Sequence, residues 1–340
     1  MYINMADIRN LASKLTFKRI NNAIYIYRSF IHSRRLGNVG LKGMPISISV
    51  EPTTACNLRC PECPSGLRSF TRPTGKMPTH IFEKLIEEIH ETLFYLIFYF
   101  QGEPYLHPQL LEMIRFASDK NIYTATSTNA HFLTEEVALK TVASGLDRMI
   151  ISIDGASQQT YEAYRKEGLL DKVLEGTQNM VRAKKELGKK TPLLVWQFLV
   201  VKPNEHEIDQ IKHMAKQYGV DKVAFKTAQI YDYENGNELI PTKDKYSRYK
   251  QQADGTWDLK HKAMDECWKM WHSCVITWDG KVVPCCFDKD AHYELGNVTD
   301  KSFHEIWQSA AYNQFRQQLL NSRSEIEMCK NCSEGAKVWA

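Results

Sequence analysis

From residue 46 the chain alternates short, nearly continuous apolar runs with longer stretches in which apolar residues recur every third or fourth position. The strand candidates are Ile46–Val50, Leu93–Phe100, Thr124–Thr128, Arg148–Ile153, Leu193–Val201 and Lys222–Ile230. The stretches between them predict helices. Phe82, Leu85, Ile86 and Ile89 fall on one helical face behind a candidate cap, Thr79. Pro108 suits a first helical turn before Leu111 and Ile114, and Thr134 followed by Glu135 and Glu136 places negative charge at a helix start. Further helices are expected over 157–166, 171–187 and 205–218. Strand–helix alternation of this kind implies α/β architecture, a parallel sheet with its helices outside. Six strands are too few for a complete eight-stranded barrel, which leaves a partial barrel or an open sheet.

The pattern differs at both ends. Over residues 10–35, Ile20, Ile24, Tyr27 and Ile31 recur at helical spacing among basic residues, predicting a basic amphipathic helix. The expectation is that it packs on the outside of the main domain; peripheral contact with a membrane surface or an acidic partner is the less favoured reading. Residues 232–262 are polar and charge-rich, as in a linker or surface helix. Beyond them, Ser302-Phe303-His304-Glu305 forms a capping box ahead of Ile306, Trp307 and Phe315. The expected division is an N-terminal extension (1–43), a core domain (44–235), a linker (236–262) and a cysteine-rich tail (263–340).

Charge adds one point. The net charge of +4 is too small to indicate nucleic-acid binding, yet residues 1–43 carry eight Lys/Arg against a single acid, Asp7. That segment is +7 and the rest of the chain −3. No apolar run approaches the roughly 18–20 residues needed to span a bilayer. The nine cysteines are spaced as thiolates for metal and not as a disulfide scaffold, which places the protein in a reducing compartment, the cytoplasm.

The first cysteine group, Cys56-Asn-Leu-Arg-Cys60-Pro-Glu-Cys63, follows the first predicted strand. Three thiolates can hold three irons of a cubane cluster and leave the fourth iron without a protein ligand, whereas a closed zinc site would want a fourth residue. This C-x3-C-x2-C spacing after a strand resembles the signature of the radical S-adenosylmethionine (SAM) superfamily. Gln101-Gly102-Glu103-Pro104 after the second strand resembles its GGEP motif, Ser127-Thr128-Asn129 its ribose-side segment, Ile151-Ser152-Ile153-Asp154-Gly155 its SxDG segment, and Gln197 to Asn204 the segment near adenine. One residue departs from the pattern: the position before the third cysteine, commonly aromatic in the family, is Glu62.

The resemblance implies a partial (β/α)6 TIM-like barrel. In it, Cys56, Cys60 and Cys63 would ligate a [4Fe–4S] cluster. Gly102, Glu103, Ser127, Asn129, Ser152, Asp154, Arg165 and Val200 would lie around SAM, with Glu103 toward its amino group and Arg165 toward its carboxylate. One electron from a low-potential donor would cleave SAM to methionine and a 5′-deoxyadenosyl radical, which takes hydrogen from a substrate.

The tail holds Cys267, Cys274, Cys285, Cys286, Cys329 and Cys332. With Trp278-Asp279-Gly280, Leu295-Gly296-Asn297 and Ile306-Trp307 it resembles the SPASM/twitch extension, a small auxiliary-cluster domain. No cysteine follows Cys332, so the resemblance implies one auxiliary [4Fe–4S] cluster on Cys267, Cys285, Cys329 and Cys332, with Cys274 and Cys286 as substitutes and zinc as the competing metal. Four protein ligands leave no open iron, which suits electron acceptance during a two-electron oxidation of a small-molecule or carbohydrate alcohol. Modification of a ribosomal peptide or protein side chain is the second enzyme reading, and a non-catalytic metal-binding scaffold the third. The catalytic base stays open; Lys226, Asp232, Glu234 and His272 are the candidates by position.

Overall fold

Six parallel strands run side by side in sequence order: β1 (Ser47–Val50), β2 (Tyr95–Ile97), β3 (Tyr123–Thr128), β4 (Arg148–Ser152), β5 (Leu193–Val200) and β6 (Lys222–Thr227). The structure is a computed structural model and describes residues 5–260 and 264–333. Each predicted strand is present; β3 begins one residue earlier than expected, at Tyr123, and the other five are shortened at their ends.

Two helices precede the sheet, α1 (Met5–Ser13) and α2 (Phe17–Leu36), and the short α3 (Pro64–Leu67) follows the first cysteine group. The helices α4 (Thr79–Ile89), α5 (Leu110–Asp119), α6 (Glu135–Ala143), α7 (Gln158–Tyr164), α8 (Leu170–Glu186) and α9 (Ile208–Gln217) fill the crossovers. The expected face of α4 is buried through Phe82, Leu85, Ile86 and Ile89, although Thr79 is its first helical residue and Pro78 stands at the cap. The Thr134 hydroxyl accepts from Val137 N at the start of α6, and Ser157 with Thr160 forms a capping box on α7.

Three features depart from the expected pattern. The polar stretch after residue 232 contains a hairpin of β7 (Tyr249–Gln251) and β8 (Trp257–Leu259) instead of a helix. Tyr249 and Leu259 bury against Ile230, Tyr164 and Cys60, and the Tyr249 hydroxyl bonds Ile230 and Asn331, so the hairpin bridges core and tail. Next, the tail continues the main sheet. After α10 (Lys269–His272), β9 (Ser273–Ile276) pairs in parallel with β1, and β10 (Val282–Val283) closes that edge antiparallel, giving the order β10-β9-β1-β2-β3-β4-β5-β6. The helices α11 (Phe303–Trp307), α12 (Ala310–Ser322) and α13 (Glu327–Lys330) follow. The expected join between linker and tail, at 262–263, lies outside the described residues.

The third departure is at the N-terminus. The expected single helix breaks at Thr16, whose hydroxyl caps α2 by accepting from Arg19 N. The buried face of α2 carries Arg19, Asn22, Ile26, Ser29, Phe30 and Ser33, and the outward face carries Ile20, Ile24 and Tyr27. Arg19 donates to the carbonyls of His90, Lys120 and Asn121. Asn22 exchanges two 2.8 Å bonds with Met44, and Phe30 packs on Trp268 and Trp271. Since these partners precede β3, β1 and β9, α2 lies across the N-terminal ends of the strands, opposite the cysteine loop.

Candidate functional site

Cys56, Cys60 and Cys63 sit on the loop leaving the C-terminal end of β1, where parallel α/β sheets place their chemistry. Each sulfur has a polar neighbour. Leu58 N donates to Cys56 Sγ at 3.5 Å, Arg165 Nη1 stands 3.7 Å from Cys60 Sγ, and the Cys63 thiol faces Gln101 Oε1 at 3.9 Å. All three lie against the apolar group that contains Leu199, Tyr164 and the hairpin.

The loop is held by close backbone approach. A Cβ on Gly66 would stand 2.5 Å from Cys60 N, and one on Gly102 would stand 2.2 Å from the Thr53 carbonyl. Gly102 also has a φ of +75°, which disfavours any side chain there. Gly102 N donates to Ser65 Oγ and Glu103 N to the Ala55 carbonyl, so the loop after β2 is stitched to the cysteine loop. Gly66→Ala is expected to bind less iron at this loop, because the added methyl displaces the Cys60 backbone. Iron and sulfide content after anaerobic reconstitution, with a melting curve to establish folding, checks this.

The other predicted positions gather at the same end of the sheet. Glu103 is fully buried; its carboxylate accepts from Tyr105 N, Thr128 Oγ1 and Asn129 N. Burial outweighs these donors and pushes its pKa up to about 7. Asn129 Nδ2 donates to Asn57 Oδ1 at 2.7 Å, tying the end of β3 to the residue after Cys56. Asp154 accepts from Leu199 N and Arg165 Nε, and Asn204 Nδ2 donates to its carbonyl. Ser127 and Ser152 occupy the ends of β3 and β4. Val200 is buried in the main core, whereas its neighbour Leu199 packs toward the cysteine loop. Beside Cys56, a cleft of about 530 Å³ is lined by Thr53, Ala55, Ser65, Arg68, Phe70 and Lys76.

The donor chemistry suits a cluster. Burial pushes the Cys56 thiol up to about 12 and raises that of Cys60, with Arg165 opposing. Neutral thiols are therefore the resting form of Cys56 and Cys60, and only a strongly positive group would repay ionising these two together. Among the described residues no three His, Cys, Asp or Glu side chains converge on a point able to hold one metal ion. A cube that takes one thiolate per iron asks for sulfurs set around a volume instead.

In the tail, Cys267 and Cys332 are buried, with Cys329 partly so, and all three face the buried Arg323. Arg323 Nη2 donates to Cys332 Sγ at 3.3 Å. Cys285 neighbours Cys267 and Cys286, whereas Cys274 sits within β9 with Arg316 as its nearby charge.

Sequence reasoning missed four groups. Arg323 stands six residues before Cys329, and a basic residue that close to thiols was a usable signal. Lys289 lies 4.6 Å over the Tyr231 ring near Cys63, Glu62 and Cys286, and burial lowers its pKa. Asn57 and the buried pair Glu51–Arg72, with contacts of 2.6 and 2.8 Å, carried no signal. Of the candidate bases, Lys226, Asp232 and Glu234 are exposed. His272 packs against Trp268, its ring tilted, at the far end of β9, away from the cysteine loop.

Comparison with known proteins agrees with this geometry. Residues 50–224 match the family model of the radical SAM superfamily, and residues 267–333 match that of the SPASM iron–sulfur cluster-binding domain. The chain is 24% identical over 323 residues to a tungsten-containing aldehyde ferredoxin oxidoreductase cofactor-modifying protein of Pyrococcus furiosus, covering 84% of this chain and 86% of that one. It is 27% identical over 316 residues to a PqqA peptide cyclase of Bradyrhizobium diazoefficiens, covering 85% and 79%. Among solved structures it resembles SuiB of Streptococcus suis bound to S-adenosylmethionine (TM-score 0.63, 12% identity, 85% of this chain and 71% of that one). It also resembles BtrN in complex with AdoMet and 2-DOIA (TM-score 0.52, 17% identity, 86% and 95%). The chain belongs to the radical SAM superfamily: it is an enzyme that uses SAM and a [4Fe–4S] cluster, with an iron–sulfur cluster-binding SPASM domain at its C-terminal end.

Proposed function

We infer that the enzyme carries out a two-electron oxidation of a small alcohol-bearing substrate, with one auxiliary [4Fe–4S] cluster in the tail as the electron acceptor. When bound, SAM and the first cluster supply a hydrogen-abstracting 5′-deoxyadenosyl radical. Cys56, Cys60 and Cys63 would hold the first cluster and Cys267, Cys285, Cys329 and Cys332 the second. The reading is carried by the tail: Cys267, Cys329 and Cys332 surround one buried guanidinium, and Cys285 stands beside Cys267. Four protein ligands leave no iron for substrate, and a fixed cation beside the sulfurs favours the more negative, reduced state of whatever they bind. Cys274, built into β9, is then a structural thiol.

The remaining residues position and exclude. Glu103, Asn129 and Asn57 lock the loops after β1, β2 and β3 together, and Asp154 holds Arg165 over Cys60. The β7–β8 hairpin covers the apolar side of the cysteine loop and keeps water from it. Lys289 and Glu62, between that loop and the tail, are the polar groups best placed to meet a substrate. We place the enzyme in the cytoplasm, where thiols stay reduced and a low-potential donor can reach it.

A net oxidation converts SAM and a secondary alcohol to methionine, 5′-deoxyadenosine, a ketone and a proton. The electron that starts the cycle returns at its end. The test is stoichiometry with a panel of cyclitols and sugars: one 5′-deoxyadenosine per product two mass units lighter, with reductant needed only in catalytic amount. Likeness to the PqqA peptide cyclase favours a second reading, modification of a peptide side chain. Turnover of a peptide with no turnover of any alcohol selects that reading and removes the first.

A further inference from the structure

The outward face of the N-terminal helices is unlike the rest of the surface. Of the fourteen exposed large apolar side chains among the described residues, nine fall within residues 5–36, about a tenth of the chain. On α2 they form a stripe. At 100° per residue, Phe17, Ile20, Ile24 and Tyr27 share one arc, opposite the Ile26–Phe30 face that packs on the protein. Phe17 is 79% exposed. Arg28 and Arg35 project from the same arc, and no acidic side chain among the described residues pairs with either. Lys18 and Arg34 lie to the sides, each in an ion pair with an acid of the main body, Glu91 and Glu266. With a single acid in residues 1–43, the segment carries +7 against −3 for the remainder; Arg19 is buried and Lys14, Lys18 and Arg34 are paired with acids of the main body, so the outward face presents its charge through Arg28 and Arg35.

We propose that this face is an in-plane docking surface for an anionic lipid bilayer. An apolar stripe flanked by cations, with tyrosines at its border, is the chemistry that seats a helix at the headgroup boundary. No helix among the described residues is long and apolar enough to cross a membrane, so the contact is peripheral. An acidic protein would meet the arginines but would leave the stripe uncovered unless it also carried an apolar groove; a bilayer satisfies both at once.

The fold also sets the orientation. Asn10 donates to Asp147 and Asp7 pairs with Tyr123 and Arg148, at the starts of β3 and β4. Both helices therefore lie across the N-terminal ends of the strands, while Cys56, Cys60 and Cys63 leave the C-terminal end of β1. Docked this way, the cysteine loop faces water, and substrate reaches it without passing through lipid.

Flotation of the full-length reconstituted enzyme with vesicles tests this, using phosphatidylcholine alone and phosphatidylcholine mixed with phosphatidylglycerol. The enzyme is expected to float with the mixed vesicles, weakly with the neutral ones, and less as salt rises. F17S/I24S and R28Q/R35Q should each bind about thirty-fold more weakly while keeping wild-type iron content and melting temperature, since none of these side chains enters the core. The proposal is overturned if the enzyme does not bind mixed vesicles, or if both double variants float like wild type. It is equally overturned if F17S/I24S turns a dimer into a monomer while vesicles stay unbound, which would assign the face to a second copy.

Discussion

Cys60→Ala is expected to abolish 5′-deoxyadenosine formation from SAM and dithionite and to lower reconstituted iron from about eight to about four per chain, one cluster of two. Cys60 is the most enclosed thiol of its loop. It sits beside Arg165, beneath the hairpin, with its backbone pressed against Gly66. Of the tail thiols, Cys267, Cys329 and Cys332 group around Arg323 instead. Cys329→Ala makes the contrast: about four irons should be lost as well, yet SAM cleavage should continue, uncoupled from product. Iron analysis and chromatography of the nucleoside products distinguish the two variants. Full 5′-deoxyadenosine production by Cys60→Ala would remove the loop from the chemistry, and loss of cleavage in both variants would show that the tail site also feeds the first.

How far the sequence foretold this arrangement depends on how local each signal is. The six strands of the core were legible because each is a short apolar or β-branched stretch set between helical patterns, and the motif residues at their ends come together because the strands are parallel. β9 was not legible. It has four residues, its Cys274 reads as a ligand candidate, and its partner β1 lies more than two hundred positions away. The buried face of α2 was not legible for a different reason: apolar residues occupy both faces, so Ile20 and Ile26 give the pattern no contrast. Arg19, reaching the carbonyls at the ends of α4 and α5, and Asn22, bonded twice to Met44, fix which side is buried. The loops around the cysteines are latched by Glu103, Asn129 and Asn57, whose partners come from three separate strand ends. The motifs identify such residues, but their hydrogen bonds depend on the assembled sheet.

The pair Glu51–Arg72 shows what that assembly costs when one member is lost. Glu51 follows β1, is fully buried, and takes both arms of the Arg72 guanidinium while also accepting from Trp278 N in the tail. Arg72 lies over Phe70 and near Phe100; next to it, Thr71 binds Asp290, and Trp278 donates to the Pro73 carbonyl. The pair is therefore the buried centre of the seam joining the cysteine-loop segment to the tail. Arg72→Met leaves a carboxylate with no counter-charge in a dry site and is expected to destabilise the protein by about 3–5 kcal/mol, roughly 4–7 °C in melting temperature for a chain of this length. The sign of its pH dependence follows from the carboxyl. Burial already raises the Glu51 pKa with Arg72 opposing it, and removing Arg72 raises it further. A carboxyl raised in the folded state contributes its full stability below its unfolded pKa and loses it as pH rises through the folded value. The deficit of Arg72→Met should thus be smaller at pH 5 than at pH 8. The double variant Glu51→Leu/Arg72→Met should recover most of the loss, because two apolar side chains fill the space without an unpaired charge. Thermal melts of the three proteins across that pH range decide the point: a deficit that does not change with pH, or a double variant no better than the single, would mean that the packing of Arg72 on Phe70 and Phe100, and not its charge, holds the seam.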